Sequence, residues 1–328
     1  MSSPEPLCDH CVQIPLDPEE LTEGRLTEYE RWSLGPWLRI QASRCPLCRL
    51  VKLLVYEHNK TERRNFSMES SKEIYLTWMS SWGPGNRGAF KVSEAGLGLF
   101  ICFATQPGGP IVTDNAHYLR HAVYPELDVS RVTRWLSTCA QTHSGNCVWE
   151  PEVAFGDAFP GLQVMRLIDV FQQRLVEIRC LTRYAALSYI WGAVDNFRLT
   201  TANRGRLLLP GAIQSIFNMI PRTVQDAISL VRKLGIRYLW VDALCLLQNE
   251  AEDLRCGVQV MDQVYERSFL TIIAACGHDA DAGLPGVEPN TRRMSRMTRQ
   301  VRPGIWLGVY TSLDNLIKGT VYNSRAWT

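Results

Sequence analysis

Residues Pro221–Val241 read PRTVQDAISLVRKLGIRYLWV, an amphipathic stretch followed at once by a short apolar run. Val224, Ala227, Ile228, Val231 and Leu234 recur at the three- and four-residue spacing of one helical face. Thr223 stands where an N-cap is expected, with Asp226 three residues on to reach back, and Gly235 marks the end. Ile236–Val241 then reads as a strand covered on both faces, apolar apart from Arg237. Working outward, Ala185–Trp191 is a near-continuous apolar strand running into Gly192. A second helix is expected from about Glu252 to Arg267, burying Leu254, Val258, Met261, Val264 and Tyr265, and a further strand over Phe269–Ala275. Val164–Val170 and Leu175–Arg179 read as two more short strands. The order β-α-β-α-β with short connections predicts an α/β fold built on a parallel sheet with flanking helices.

Upstream the character differs. The chain is read as three regions: 1–57, a Cys-rich segment ending in the helix-like run Leu50–Tyr56; 58–160, a small mixed β/α region; and 161–328, the α/β part. EIYLTWM, GLGLFICFAT and QPGGP, between residues 72 and 112, suggest a small antiparallel β unit with tight turns. DVSRVTRWLSTC (Asp128–Cys139) has helical spacing at Val129, Val132, Trp135 and Leu136, with Asp128 or Ser130 as cap. Cys139, His143 and Cys147 recur every four residues, but Gly145 interrupts the helix, so a polar patch beside a turn is preferred to a three-ligand metal site.

The composition is that of an ordinary globular chain, 46% apolar and 21% charged, with net charge +2, so no global field draws it to nucleic acid or a membrane surface. Five arginines between Arg292 and Arg302 (the others Arg293, Arg296 and Arg299) lack interleaved aromatics to stack on bases and read as a solvated loop. MSSPEPLCDHC has neither the basic nor the apolar region of a signal peptide, and no apolar run reaches the ~20 residues that span a bilayer. A cytoplasmic, reducing location is therefore expected, with the 11 cysteines as thiols or metal ligands rather than disulfides.

Two patterns carry candidate chemistry. Cys8-Asp-His-Cys11 and Cys45-Pro-Leu-Cys48 each supply one tetrahedral edge, and together close a structural zinc site. Their separation of 33 residues exceeds the usual spacing, and neutral thiols packed at a helix start are the alternative. His10 reads as a bystander. The second pattern follows from ligands binding beyond the carboxyl ends of parallel strands. One strand end delivers Ser188, Tyr189, Trp191 and Gly192; the next Asp242, Cys245 and Gln248; the third the loop Gly277-His-Asp-Ala-Asp-Ala-Gly283. Aromatic, carboxylate and glycine-rich elements there suit a nucleotide or sugar hydroxyl, whereas Asp242 as a turn cap and Trp191 as core is the structural alternative. Cys245 lies in an apolar run, the setting of an inert thiol rather than a nucleophile. No glycine-rich dinucleotide fingerprint or Walker loop is present.

YAALSYIWG (Tyr184–Gly192), IPRTVQDAI (Ile220–Ile228), YLWVDALCLLQ (Tyr238–Gln248), Met261–Gly286 and NSRAWT (Asn323–Thr328) resemble, in order, the motifs of the fungal heterokaryon-incompatibility (HET) domain. The Cys-x-x-Cys pairs, WLSTCAQTHSGNC and MRLIDV resemble the extension that often precedes it. Ala326 replaces a glycine of the last motif, and the family pattern would continue past Thr328, so an incomplete domain is expected. The resemblance implies self/non-self recognition signalling that ends in programmed cell death, a form of fungal innate immunity. It also implies a distant TIR-like, flavodoxin-type architecture, with other incompatibility or NLR-like proteins, and copies of itself, as partners. By analogy with TIR domains it raises NAD cleavage, with NAD as substrate, Trp191 and Gly192 flanking it, and Asp242, Glu250 or Asp253 as the catalytic carboxylates. A third possibility is a zinc-stabilised binding protein with a degenerate HET core.

Overall fold

A computed structural model of the chain describes residues 5–17, 21, 30–62, 69–82, 87–93, 100–104, 118–119, 126–143, 153–292, 298–310, 317 and 320–324. Cys147, Gly145, Arg293, Arg296 and the final RAWT fall outside them. The strands are β1 Arg31–Pro36, β2 Glu73–Trp82, β3 Arg87–Ser93, β4 Phe100–Ala104, β5 Tyr118–Leu119, β6 Met165–Asp169, β7 Arg174–Ile178, β8 Tyr184–Ser188, β9 Tyr238–Trp240, β10 Leu270–Ile273, β11 Thr298–Arg302 and β12 Ile305–Tyr310. They form two compact units, residues 1–123 with 294–319, and 124–293 with 320–328.

The first unit holds a seven-stranded sheet in the order β1-β2-β3-β4-β12-β11, with β5 beside β4. The expected antiparallel β unit is present as β2, β3 and β4. β12 pairs with β4, Trp306 opposite Ala104 and Tyr310 opposite Phe100. Residues 298–302 are thus a strand, not the solvated loop expected of the arginine run. Arg302 donates to the carbonyls of Val12 (2.9 Å) and Ile14 (3.2 Å), so this cation ties the strand to the N-terminal segment. Helix Pro46–Glu62 lays Leu47, Leu50, Val51, Leu54 and Val55 into a core shared with Trp78, Phe90 and Phe103. These rings meet edge-on, Trp78 4.9 Å from Phe90 and 6.1 Å from Phe103, the arrangement their quadrupoles favour.

The second unit holds a five-stranded sheet, β10-β8-β9-β6-β7. β10, β8 and β9 are parallel, as expected. β6 and β7 join them antiparallel, so the sheet is mixed. The link from Asp169 to Arg174 is too short for a crossover and closes a hairpin instead; Gln173 takes φ +53 in it, and Asp169 accepts from Phe171 N and Gln172 N. β8 is buried at all five positions, covered on both faces as its largely apolar sequence requires.

Three local expectations are corrected. The helix after Pro221 is capped by Pro221, not Thr223, and spans Arg222–Lys233. Thr223 and Asp226 instead accept from Gly283 N (3.0 Å) and Leu284 N (2.7 Å), docking a distant loop. Asp226 is buried, and burial raises its carboxyl above the usual range. The second helix breaks at Val260 into Ala251–Gln259 and Met261–Glu266. That break resets the helical phase, leaving Val258 half exposed and bringing Gly257 against Leu246. Helix Val129–Thr142 forms with Asp128 accepting from Arg131 N, but its Trp135 is 60% exposed rather than buried.

Candidate metal centre and strand-end site

Cys8 ends an extended segment just before the short helix Asp9–Val12, which carries Cys11 inward. Cys45 and Cys48 flank the first turn of helix Pro46–Glu62. The four Sγ atoms lie within 4.8 Å of one another. Cys48 Sγ is 3.7 Å from Cys11 Sγ and 3.9 Å from Cys8 Sγ. Zn–S bonds of about 2.3 Å set tetrahedral S···S edges of about 3.8 Å, so the residues fit a metal held by four thiolates. Cys11, Cys45 and Cys48 are buried and Cys8 partly so. Crowding splits their acidities. Cys11 is pushed up, first by its hydrogen bonds to Cys45 and Cys48 and then by burial. Cys45 is pulled down by the bonds it accepts from Cys11 and Cys48. A divalent ion would take the place of the protons that these sulfurs share. His10 supplies no atom to this cluster; its Nδ1 sits 3.2 Å from the Ser33 carbonyl.

In the second unit the carboxyl ends of β8 and β9 bring Tyr189, Trp191 and Asp242 together. Trp191 Nε1 donates to Asp242 Oδ2 at 3.0 Å, and Ala243 N to Oδ1 at 2.7 Å. The Tyr189 hydroxyl is buried beside the same carboxylate; burial first, and then that charge, raise its pKa. Gln248 reaches back through Nε2 to the carbonyls of Asp242 and Leu246, 3.1 Å each. Arg198 lies over the Trp191 ring at 5.2 Å. Asp242 opens the short helix Asp242–Cys245 without capping it, the N-cap being Val241 with no side-chain cap bond, and its carboxylate meets the indole and the neighbouring amide. Ser188 is buried, its Oγ 3.1 Å from the Tyr322 hydroxyl.

Gly192 takes φ +66, and the loop after β10 lies against it. An added Cβ would stand 2.3 Å from Asp279 Cβ and 2.8 Å from its Cα. Ala280 N donates to the Trp191 carbonyl at 3.2 Å, and Arg222 N donates to Asp281. Gly192→Ala therefore combines left-handed strain with a backbone clash. It is expected to cost about 1–3 kcal/mol and to unseat residues 277–283, read as faster proteolytic cleavage within that loop.

The remaining candidates lie elsewhere. Cys245 is buried, accepts from Val241 N at 3.3 Å, and has its thiol pushed up to about 12 by burial, the state of an inert core thiol. Asp253 is engaged by Arg166 through two bonds of 2.8 and 2.9 Å, and by Leu247 N at 2.8 Å. Glu250 is exposed at the start of helix Ala251–Gln259, with no side-chain cap bond. Cys139 Sγ approaches His143 Nδ1 at 3.3 Å on an exposed helix end.

Two residues that sequence reasoning did not single out matter here: Arg39 at the cysteine cluster and Arg166 at Asp253. An arginine carries no local signal of the partner it will meet, so no sequence pattern marks either one.

Among the described residues no helix is long and apolar enough to cross a membrane. No curated protein and no solved structure matches the chain. Beginning on the first residue of β8 and taking in the strand-end cluster, residues 184–328 match the family model Heterokaryon incompatibility protein (HET).

Proposed function

We propose that the chain is an incompatibility signalling protein: its HET segment triggers programmed cell death on meeting an unlike partner, and zinc staples the N-terminal cysteine segments. The observation that carries this is the family match over residues 184–328, anchored on three parallel strands. A distant TIR-like relationship fits the parallel β10-β8-β9 core, and the partners it implies are incompatibility or NLR-like proteins and further copies of the chain. Signalling by assembly is preferred to NAD cleavage because the acidic candidates with defined partners hold structure: Asp242 ties Trp191 to Ala243 N, and Asp253 holds Arg166. A carboxylate that stabilises a cationic transition state has to face the substrate. Four thiolates at tetrahedral separations favour zinc among the divalent ions available to a cell.

The test is induced expression in a filamentous fungus, with viability and cellular NAD followed together for the wild type and Asp242→Asn. The amide keeps an acceptor for Ala243 N while removing the charge. Loss of viability with NAD unchanged, and retained in Asp242→Asn, is the expected result. Early NAD loss that vanishes in Asp242→Asn would replace the assembly reading with an NAD-cleaving enzyme. Unimpaired growth with a folded, zinc-loaded product would leave a binding protein with a degenerate HET core.

A further inference from the structure

The guanidinium of Arg39 sits directly on the cysteine cluster. Its Nη2 is 3.1 Å and its Nη1 3.6 Å from Cys8 Sγ, and both are 3.9 Å from Cys48 Sγ. The side chain is aimed by helix Trp37–Ala42, whose Trp37 and Ile40 are buried and fix its rotation. Room for it is made by Gly35, at φ +81 where the β1–β2 register shifts. An added Cβ there would lie 2.9 Å from Arg39 Nε and 3.3 Å from His10 Cε1.

We infer that Arg39 is the outer-sphere cation of a four-thiolate metal site, offsetting the charge of the metal–thiolate cluster and shielding Cys8, the one ligand that is not buried. This rests on the metal-site reading above. A divalent ion with four thiolates carries a net charge of 2−, and placing it where three of four ligands are buried is unfavourable without a compensating cation. N–H groups of a guanidinium bonded to thiolate sulfur are charge-assisted, and they draw electron density from the ligand that electrophiles reach first. A lysine would return the charge but not the fork that spans Cys8 and Cys48. Arg39 is thus a positioning residue, acting on the metal through its ligands.

The experiment uses the full chain, stripped and titrated with Co2+, whose thiolate-to-metal charge-transfer band reports ligand number. Affinity is measured by competition against a chromophoric chelator, and alkylation of Cys8 in the Zn2+-loaded chain by iodoacetamide is followed by mass spectrometry. Arg39→Gln is expected to weaken Co2+ binding by about ten- to a hundred-fold and to accelerate Cys8 alkylation, with the four-thiolate band unchanged. Arg39→Lys is expected to recover part of both effects, and this ordering separates a charge role from simple packing. Unchanged affinity and alkylation in Arg39→Gln, with the band intact, would overturn the role of Arg39 and leave the metal site standing. A wild-type chain that binds no Co2+ with that band would overturn the site itself, and Arg39's role with it. Should Arg39→Gln not fold, Arg39→Lys decides: wild-type values for it overturn the bidentate role.

Discussion

Replacing Cys48 with Ser, or withdrawing metal with a chelator, is expected to unfold the first unit while the second keeps its own thermal transition. Each unit has a separate core, one built on Trp78, Phe90 and helix Pro46–Glu62, the other on β6, β8, β9 and helix Arg222–Lys233. In the first, Cys11 and Cys48 are wholly buried, and the cluster joins two segments far apart in sequence. Binding of structural zinc to such sites supplies about 10–16 kcal/mol, comparable to the whole stability of a domain, about 5–15 kcal/mol. A unit of this size cannot lose that contribution and stay folded. The consequence reaches β11, because Arg302 holds the carbonyls of Val12 and Ile14, which follow Cys11 directly.

Hydrogen exchange resolves the expectation segment by segment. After chelation, peptides covering 5–17, 30–62, 73–82 and 298–310 should lose protection together, while those from 153 to 292 keep it. Uniform protection in the metal-free chain would show that the cysteines are packing thiols. Acid should act as chelator does. Metal binding requires all four thiolates, and Cys11 holds its proton above the ordinary thiol range, so apparent affinity falls as pH falls.

How far the sequence could be read depended on the range of the interaction. The Cys-x-x-Cys pairs, Asp128 as a cap and Gly235 as a helix end are written within a few residues, and each is legible. So are β8 and β10, whose apolar runs need no partner to be recognised. β11 was not legible: TRQVR buries only Val301, so its alternation is faint, and although its own partner is the neighbouring β12, the place of that hairpin in the sheet is set by β12 pairing with the distant β4. Thr223 and Asp226 misled for the same reason. Local chemistry offered them the helix N-terminus, but Gly283 N and Leu284 N took the bonds. At the strand ends, the meeting of Tyr189, Trp191 and Asp242 follows from parallel pairing alone. That Asp242 accepts from Trp191 and from Ala243 N depends on side-chain directions no spacing rule encodes.

Asp253→Ala is expected to destabilise the second unit by about 3–5 kcal/mol, the cost of breaking a buried ion pair from one side. Arg166 is only 5% exposed. Both its Nη atoms bond Asp253, its Nε lies 3.2 Å from Glu177 Oε1, and Nη1 also reaches the Cys245 carbonyl at 3.3 Å. Glu177 is shared with Arg204 through two bonds of 2.7 Å, so β6, β7 and helices Thr201–Leu207 and Ala251–Gln259 converge on one network. Without Asp253, Arg166 keeps only half its counter-charge, and Leu247 N loses its acceptor. Glu177→Gln should cost less, because that carboxylate is closer to solvent. Arg204 holds the Glu177 carboxyl below the usual range. Its contribution is therefore complete above the unfolded-state pKa and lost as pH falls through the lower folded value, so the difference between Glu177→Gln and wild type should shrink in acid. The double variant Arg166→Met/Asp253→Leu removes both charges and should regain much of the stability lost in Asp253→Ala. It also separates structure from chemistry at Asp253. If Asp253→Ala abolishes cell killing and the double variant restores both the melting transition and killing, Asp253 serves the fold. Restored melting without restored killing would return its carboxylate to the list of groups that act on a substrate.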